Sequence, residues 1–142
     1  MTSAAREDRE RRGPITALAA SGATQPHWDG LAQGELLIPR CRSCGKFFFY
    51  PRVLCPRCAS RDIEAERVSG RGTIIAATTV HAALNGWPAD DLPYTAVLVR
   101  LREGVVMPGR MADTEVGVVI GAEVQVRFSG DPEHELPRWA QG

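Results

Sequence analysis

The stretch from Cys41 to Cys58, CRSCGKFFFYPRVLCPRC, carries all four cysteines of the chain as two C-x-x-C pairs separated by ten residues. A C-x-x-C turn aims two thiolates at one point, and two such turns facing each other complete a tetrahedral shell with sulfurs about 2.3 Å from the metal. The intervening ten residues need only form a short hairpin. Four thiolates leave no coordination place for water, so the pattern predicts a structural Zn²⁺ site and not a catalytic one. A tetrahedral thiolate cage also suits iron, and the ligand set alone does not separate the two metals. Two disulfides would require an oxidising compartment, to which nothing in the chain directs it. A thioredoxin-type redox motif is a single pair near a βαβ pattern, which two close pairs do not fit.

Working outward, the ribbon is locally basic. Between Arg40 and Arg71 eight basic residues stand against three acids, while the whole chain of 142 residues balances 17 basic against 17 acidic. The molecule as a whole therefore offers no field for a polyanion, but its ribbon does. Inside the hairpin, Phe47-Phe48-Phe49-Tyr50 gathers four of the nine aromatics. Alternation turns Phe47 and Phe49 to one face and Phe48 and Tyr50 to the other. One face packs on the metal site, and the other needs either the neighbouring domain or an external surface.

Before the ribbon, residues 1–26 read as a tail. Arg6 to Arg12 is a mixed-charge run closed by Gly13-Pro14, and the apolar stretch after Arg11-Arg12 is too interrupted for an export core. No segment approaches the ~20 apolar residues of a membrane span, and a cytoplasmic location is expected. Trp28 and Leu31 share one face of a short helix that Gly34 can end, and Leu36-Leu37-Ile38 is a strand leading to the first knuckle.

After the ribbon the chain turns β. Glu64 to Val68, Thr73 to Val80, Tyr94 to Leu101, Val105 to Met111 and the alternating GAEVQVRF around Val124 and Val126 are the expected strands. His81 to Pro93 is a long loop with an Asn85-Gly86 turn, in which Trp87 is a barrel cap or an interface anchor. Asp90-Asp91 reads as a solvated pair. The fold class is mainly β: a helical lead and rubredoxin-like ribbon over 27–62, then a small OB-like barrel over 63–142. His27, His81 and His134 are scattered and no phosphate loop is present, so the polar residues give no ground for an enzyme.

Five pieces occur in one order: Trp28, Leu31, Gly34 and Leu36; Pro39 to Gly45; Pro51 to Cys58; Ser69 to Thr73; and Leu136 to Trp139. Together they resemble the zinc-ribbon OB-fold accessory proteins of acyl-CoA metabolism. Ala59, where glycine often follows the second knuckle, and Trp139, in a place usually held by Phe, depart from the pattern without touching a metal ligand. The resemblance implies a non-catalytic partner of a thiolase-superfamily enzyme, such as a thiolase or a steroid side-chain retro-aldolase, whose OB part can contact a CoA thioester or shape the channel to the partner's active site. It leaves Cys41, Cys44, Cys55 and Cys58 to zinc. Phe48, Tyr50, Arg52, Arg57 and Trp87 are the candidates for partner or CoA contact. A basic, aromatic OB module would also suit single-stranded nucleic acid, which zero net charge disfavours. The ten-residue spacing disfavours an independent rubredoxin-like electron carrier.

Overall fold

The computed structural model describes residues 22–82, 92–112, 117–128 and 137–141. A 3₁₀ turn, Gly22–Thr24, leads into helix α1, Gln25–Ala32, which carries Pro in its first turn and a Gln25 Nε2 to Asp29 Oδ1 bond of 2.7 Å. Pro is tolerated there because the first N–H groups of a helix have no intrahelical acceptor. Gly34, at φ 77°, reverses the chain, and the Glu35 N–H closes the end on Gly30 O at 2.8 Å. The helix buries Leu31 as expected, and also His27, whereas Trp28 is only partly buried.

Strand β1, Leu37–Cys41, pairs antiparallel with β2, Ile63–Arg67, as a two-stranded sheet that holds the ribbon's base. A division of the chain after residue 62 would assign β2 to the barrel, but its strand partner is β1. The remaining strands are β3, Arg71–Val80; β4, Tyr94–Leu101; β5, Val106–Met111; β6, Glu123–Arg127; and β7, Arg138–Gln141. They close a barrel in the order β3-β4-β5-β7-β6. Every neighbour pair is antiparallel except β5 with β7, and β3 with β6 shuts the ring. The small OB-like barrel expected from the strand spacing is therefore present, but its fifth stave is β7, while the expected strand at Glu64–Val68 is β2 and pairs with β1.

Alternation decides what fills it. Val97, Val99 and Leu101 of β4 and Val124 and Val126 of β6 point inward with Ile74, Met107 and Met111, around a Trp139 with no exposed surface. Each fully buried aliphatic side chain contributes about 1.5–3 kcal/mol, so these pairs dominate the barrel's stability. Leu31, Leu36 and Ile38 belong to the same core, with Phe47 and Phe49 packed against it. The Val68 N–H to Leu36 O bond of 3.0 Å ties the chain entering the barrel to the chain entering the ribbon. Ribbon and barrel thus share one apolar interior. Among the described residues no helix is long and apolar enough to cross a membrane.

Candidate metal centre

The two knuckles are built alike. In the first, the Cys41 N–H donates to Lys46 O at 3.0 Å and the Gly45 N–H to Cys41 O at 2.9 Å. In the second, the Cys55 N–H donates to Ser60 O and the Ala59 N–H to Cys55 O, both at 2.9 Å. Each turn needs its fifth residue in the left-handed region, and Gly45 has φ 76° while Ala59 has φ 60°. Ser43 Oγ and Ser60 Oγ join the two turns at 2.9 Å.

This arrangement gathers the four sulfurs within 4.8 Å of one another. Cys41 Sγ lies 3.5 Å from Cys58 Sγ, and Cys44 Sγ lies 3.7 Å from Cys55 Sγ. A tetrahedron with metal–sulfur bonds of ~2.3 Å has edges of about 3.8 Å, so the donor set fits one Zn²⁺. Cys41 and Cys55 are buried, and Cys44 and Cys58 face solvent. Main-chain donors aim at the inner sulfurs: Cys44 N–H reaches Cys41 Sγ at 3.5 Å and Arg57 N–H reaches Cys55 Sγ at 3.4 Å.

The electrostatics match a cage made for a cation. The Cys44 N–H leads the groups that lower the Cys41 thiol, to about 6, and Cys55 is lowered by the Cys58 N–H and then by that of Arg57. Around Cys58 the Ser60 N–H pulls the other way, but the Cys41 sulfur, burial and the remaining sulfurs push it up to about 12. Four thiolates cannot share this space without a metal between them. A bound divalent cation resolves that repulsion by holding every sulfur as thiolate.

The aromatic run divides as alternation predicts, except at its end. Phe48 is buried with Cys41 and Cys55, forming the apolar floor of the metal site. Phe47 and Phe49 turn to the main core, so the neighbouring domain covers that face. The Phe47 ring carries the Arg40 guanidinium at 5.0 Å, and Arg40 also bonds Gly45 O at 3.0 Å and Glu66 at 3.1 Å. Tyr50 does not join Phe48 inside; it is 42% exposed, against the edge of Phe49 at 5.3 Å.

Arg52 and Arg57 are exposed beside the second knuckle, next to Val53 and Leu54, which are also exposed. The structure therefore brings Tyr50, Arg52 and Arg57 to the surface of one segment and takes Phe48 out of it. Trp87, Asp90, Asp91, His134 and Leu136 lie outside the described residues, and His81 is exposed.

His27 is the residue that spacing did not reveal. It is 2% exposed, its Nδ1 lies 3.0 Å from Leu37 O, and its ring meets Trp28 and Phe49 edge-on at 5.4 and 5.3 Å. A carbonyl can only accept, so Nδ1 carries the proton and Nε2 of the neutral ring is left as an acceptor. Burial lowers its pKa from 6.5, against the raising effect of the Leu37 carbonyl. Its only available signal was its place one residue before Trp28 in the helix.

Comparison with known proteins agrees with this architecture. The sequence signature described as "ChsH2, rubredoxin-like zinc ribbon domain" matches residues 28–64, and that described as "ChsH2, C-terminal OB-fold domain" matches 65–129. A DUF35 domain-containing scaffold protein of Methanocaldococcus jannaschii is 31% identical over 104 residues, covering 71% of this chain and 73% of the relative. A probable enoyl-CoA hydratase alpha subunit of Thermomonospora curvata is 30% identical over 78% of this chain but only 34% of its own length. Among solved structures, one described as an Ltp2-ChsH2(DUF35) aldolase superposes with a TM-score of 0.74 at 26% identity, covering 85% of this chain and 95% of the other. The ribbon is thus a zinc-ribbon domain and the barrel an OB-fold domain.

Proposed function

The chain belongs to the DUF35 family of zinc-ribbon and OB-fold proteins, and from that premise we propose that it is the non-catalytic accessory subunit of an acyl-CoA enzyme of the thiolase superfamily. Its role there is to support assembly and the seating of the acyl-CoA substrate. The observation that carries this reading is the likeness to the aldolase subunit across nearly the whole of that chain. Lipid or steroid side-chain degradation is the setting we assign to it. The hydratase-subunit relative supports the same class of thioester substrate.

The metal site supports an accessory role as well. Four protein thiolates saturate a tetrahedral ion and leave it no place to polarise a carbonyl or activate water. Cys44 and Cys58, though exposed, are committed to the metal and are not spare nucleophiles. The reacting groups then come from the partner. Tyr50, Arg52 and Arg57 are the contacts we assign to it, with Phe48, buried on the metal site, acting only through the ribbon's shape, and Trp87 supplying a second contact from the His81–Pro93 segment. The guanidinium groups suit both an acidic protein surface and the phosphates of a CoA thioester.

The test is co-expression with a thiolase-superfamily enzyme encoded beside it, followed by gel filtration and an acyl-CoA cleavage assay. Co-elution at a fixed ratio, with turnover in the complex and none by this chain alone, is the expected result. Steady cleavage by the purified chain alone, abolished by a point change within it, overturns the reading.

A further inference from the structure

A cleft of about 220 Å³ opens on the ribbon between α1, the β1–β2 sheet and the segment from Pro51 to Val53. Its floor is one face of the sheet. Pro39 pairs with Ala65, so Leu37 and Pro39 of β1 and Ile63 and Ala65 of β2 line it together. Glu64 and Glu66 of β2 stand on the opposite face, where Glu66 pairs with Arg40 at 3.1 Å and Glu64 with Arg42 at 3.2 Å. The cleft is thus apolar below with no acid lining it.

Its rim carries Arg52 and Arg61, both exposed, and neither guanidinium has an ion-pair or hydrogen-bond partner among the described residues. His27 lines it too, with one ring nitrogen given to Leu37 and the other left as an acceptor. Beyond the rim the apolar surface continues: Val53 is 75% exposed, Tyr50 42% and Leu54 41%. Strand β2 is bonded to β1 on one side only, so its outer edge has main-chain groups with no strand partner among the described residues. A small carboxylate would use two arginines and a floor; it would leave the β2 edge and the Tyr50–Leu54 surface unused.

We propose that this cleft is the docking site for an extended acidic segment of the partner subunit, with an apolar side chain on the floor and a carboxylate between Arg52 and Arg61. Main-chain pairing with the β2 edge gives the segment its extended form, and the floor and the two guanidiniums select its side chains. His27 Nε2 accepts a hydrogen bond from a hydroxyl or amide of the same segment. The inference rests on the accessory-subunit reading and adds to it the chemistry of what is bound and where.

The experiment uses the full-length chain with its co-purifying enzyme. A p-benzoylphenylalanine placed at Val53 is irradiated in the assembled complex, and affinity is measured for Arg52→Glu, Arg61→Glu and, as a control on the exposed barrel turn, Arg102→Glu. The expected result is a cross-link to a partner peptide containing Asp or Glu. Loss of affinity by about tenfold or more is expected for the two cleft variants, with zinc content unchanged and Arg102→Glu unaffected. An intact complex with no cross-link and wild-type affinity in both variants overturns the docking site and leaves the accessory role standing. Decanoate shifting the ¹⁵N signals of His27 and Ala65, in a cleft that the partner does not protect, identifies a small-carboxylate site and also overturns the proposal. Failure of any complex to form overturns both readings.

Discussion

Ala59 holds a backbone angle that its own type disfavours. Its knuckle repeats the hydrogen bonds of the first, where Gly45 has the same left-handed turn and open space around a would-be Cβ. An L-residue with a Cβ loses roughly 1–2 kcal/mol there, partly offset by the extra freedom glycine has when unfolded. Ala59→Gly is therefore expected to raise the zinc-loaded chain's stability by up to about 1 kcal/mol, and Gly45→Ala to lower it by about as much, read from denaturant midpoints. Equal midpoints for all three would show that the turns do not limit stability. The thiols make a second prediction. Cys58 stays protonated up to about 12 in the metal-free cage, so zinc must displace protons, and its affinity rises with pH and falls on acidification. Competition with a chromophoric chelator between pH 6 and 8 measures this, and a flat profile would contradict it. His27 adds a third. Its folded pKa lies below 6.5, so the unfolded chain binds the proton more readily. Its contribution is complete above pH 6.5 and is lost as pH falls from there toward the lowered folded value. At saturating zinc, His27→Phe should flatten that acid limb in urea titrations. The cysteines were legible because spacing alone states their geometry. His27 was not, because its environment comes from Leu37 and Phe49, far along the chain. Tyr50 misled alternation because the extended run ends before it.

The strands carry their own lesson. β2 through β6 could be read within a residue or two from β-branched runs and alternation, whereas β1 runs on through Pro39, expected to stop it, to Cys41. β7 could not. Arg138–Gln141 has a single large apolar residue, and its position rests on non-local pairing, parallel to β5 and antiparallel to β6. What marks it is Trp139, noticed in the sequence as part of a motif and found at the centre of the barrel. That centre has no slack on the β5 side, where a Cβ on Gly109 would run into the Trp139 indole and the Pro137 carbonyl. Gly109→Ala is expected to destabilise the chain by about 1–3 kcal/mol through overpacking, while zinc content stays at one per chain. A thermal melt beside metal analysis tests it; wild-type stability would mean that β7 yields freely.

For the whole molecule, the decisive fact is that the ribbon's approaches share the barrel's interior, with the metal site's own small cluster beside it. Leu36, Ile38, Phe47 and Phe49 reach from the ribbon's approaches into the core built on Trp139. Metal binding in such sites contributes about 10–16 kcal/mol of folding free energy, far more than the ribbon's small cluster of Cys41, Phe48 and Cys55 supplies without it. Chelation should therefore unfold the ribbon and also raise hydrogen exchange in β3 and β6, which an independent barrel would not show. Cys55→Ser should act in the same direction and lower solubility.

The order in which the barrel's staves lie has a meaning for a chain still being made. β7, which follows the other described strands along the chain, is the stave that stands between β5 and β6. Until it emerges, the sheet β6-β3-β4-β5 is open, and the core that holds Val97, Met107 and Val126 lacks Trp139. The ribbon has no such wait, because β1, both knuckles and β2 are complete by Arg67 and can capture their ion while the rest is being translated. The nascent ribbon thus becomes a metal-locked platform before β7, a four-residue strand, turns a sticky nascent sheet into a closed barrel.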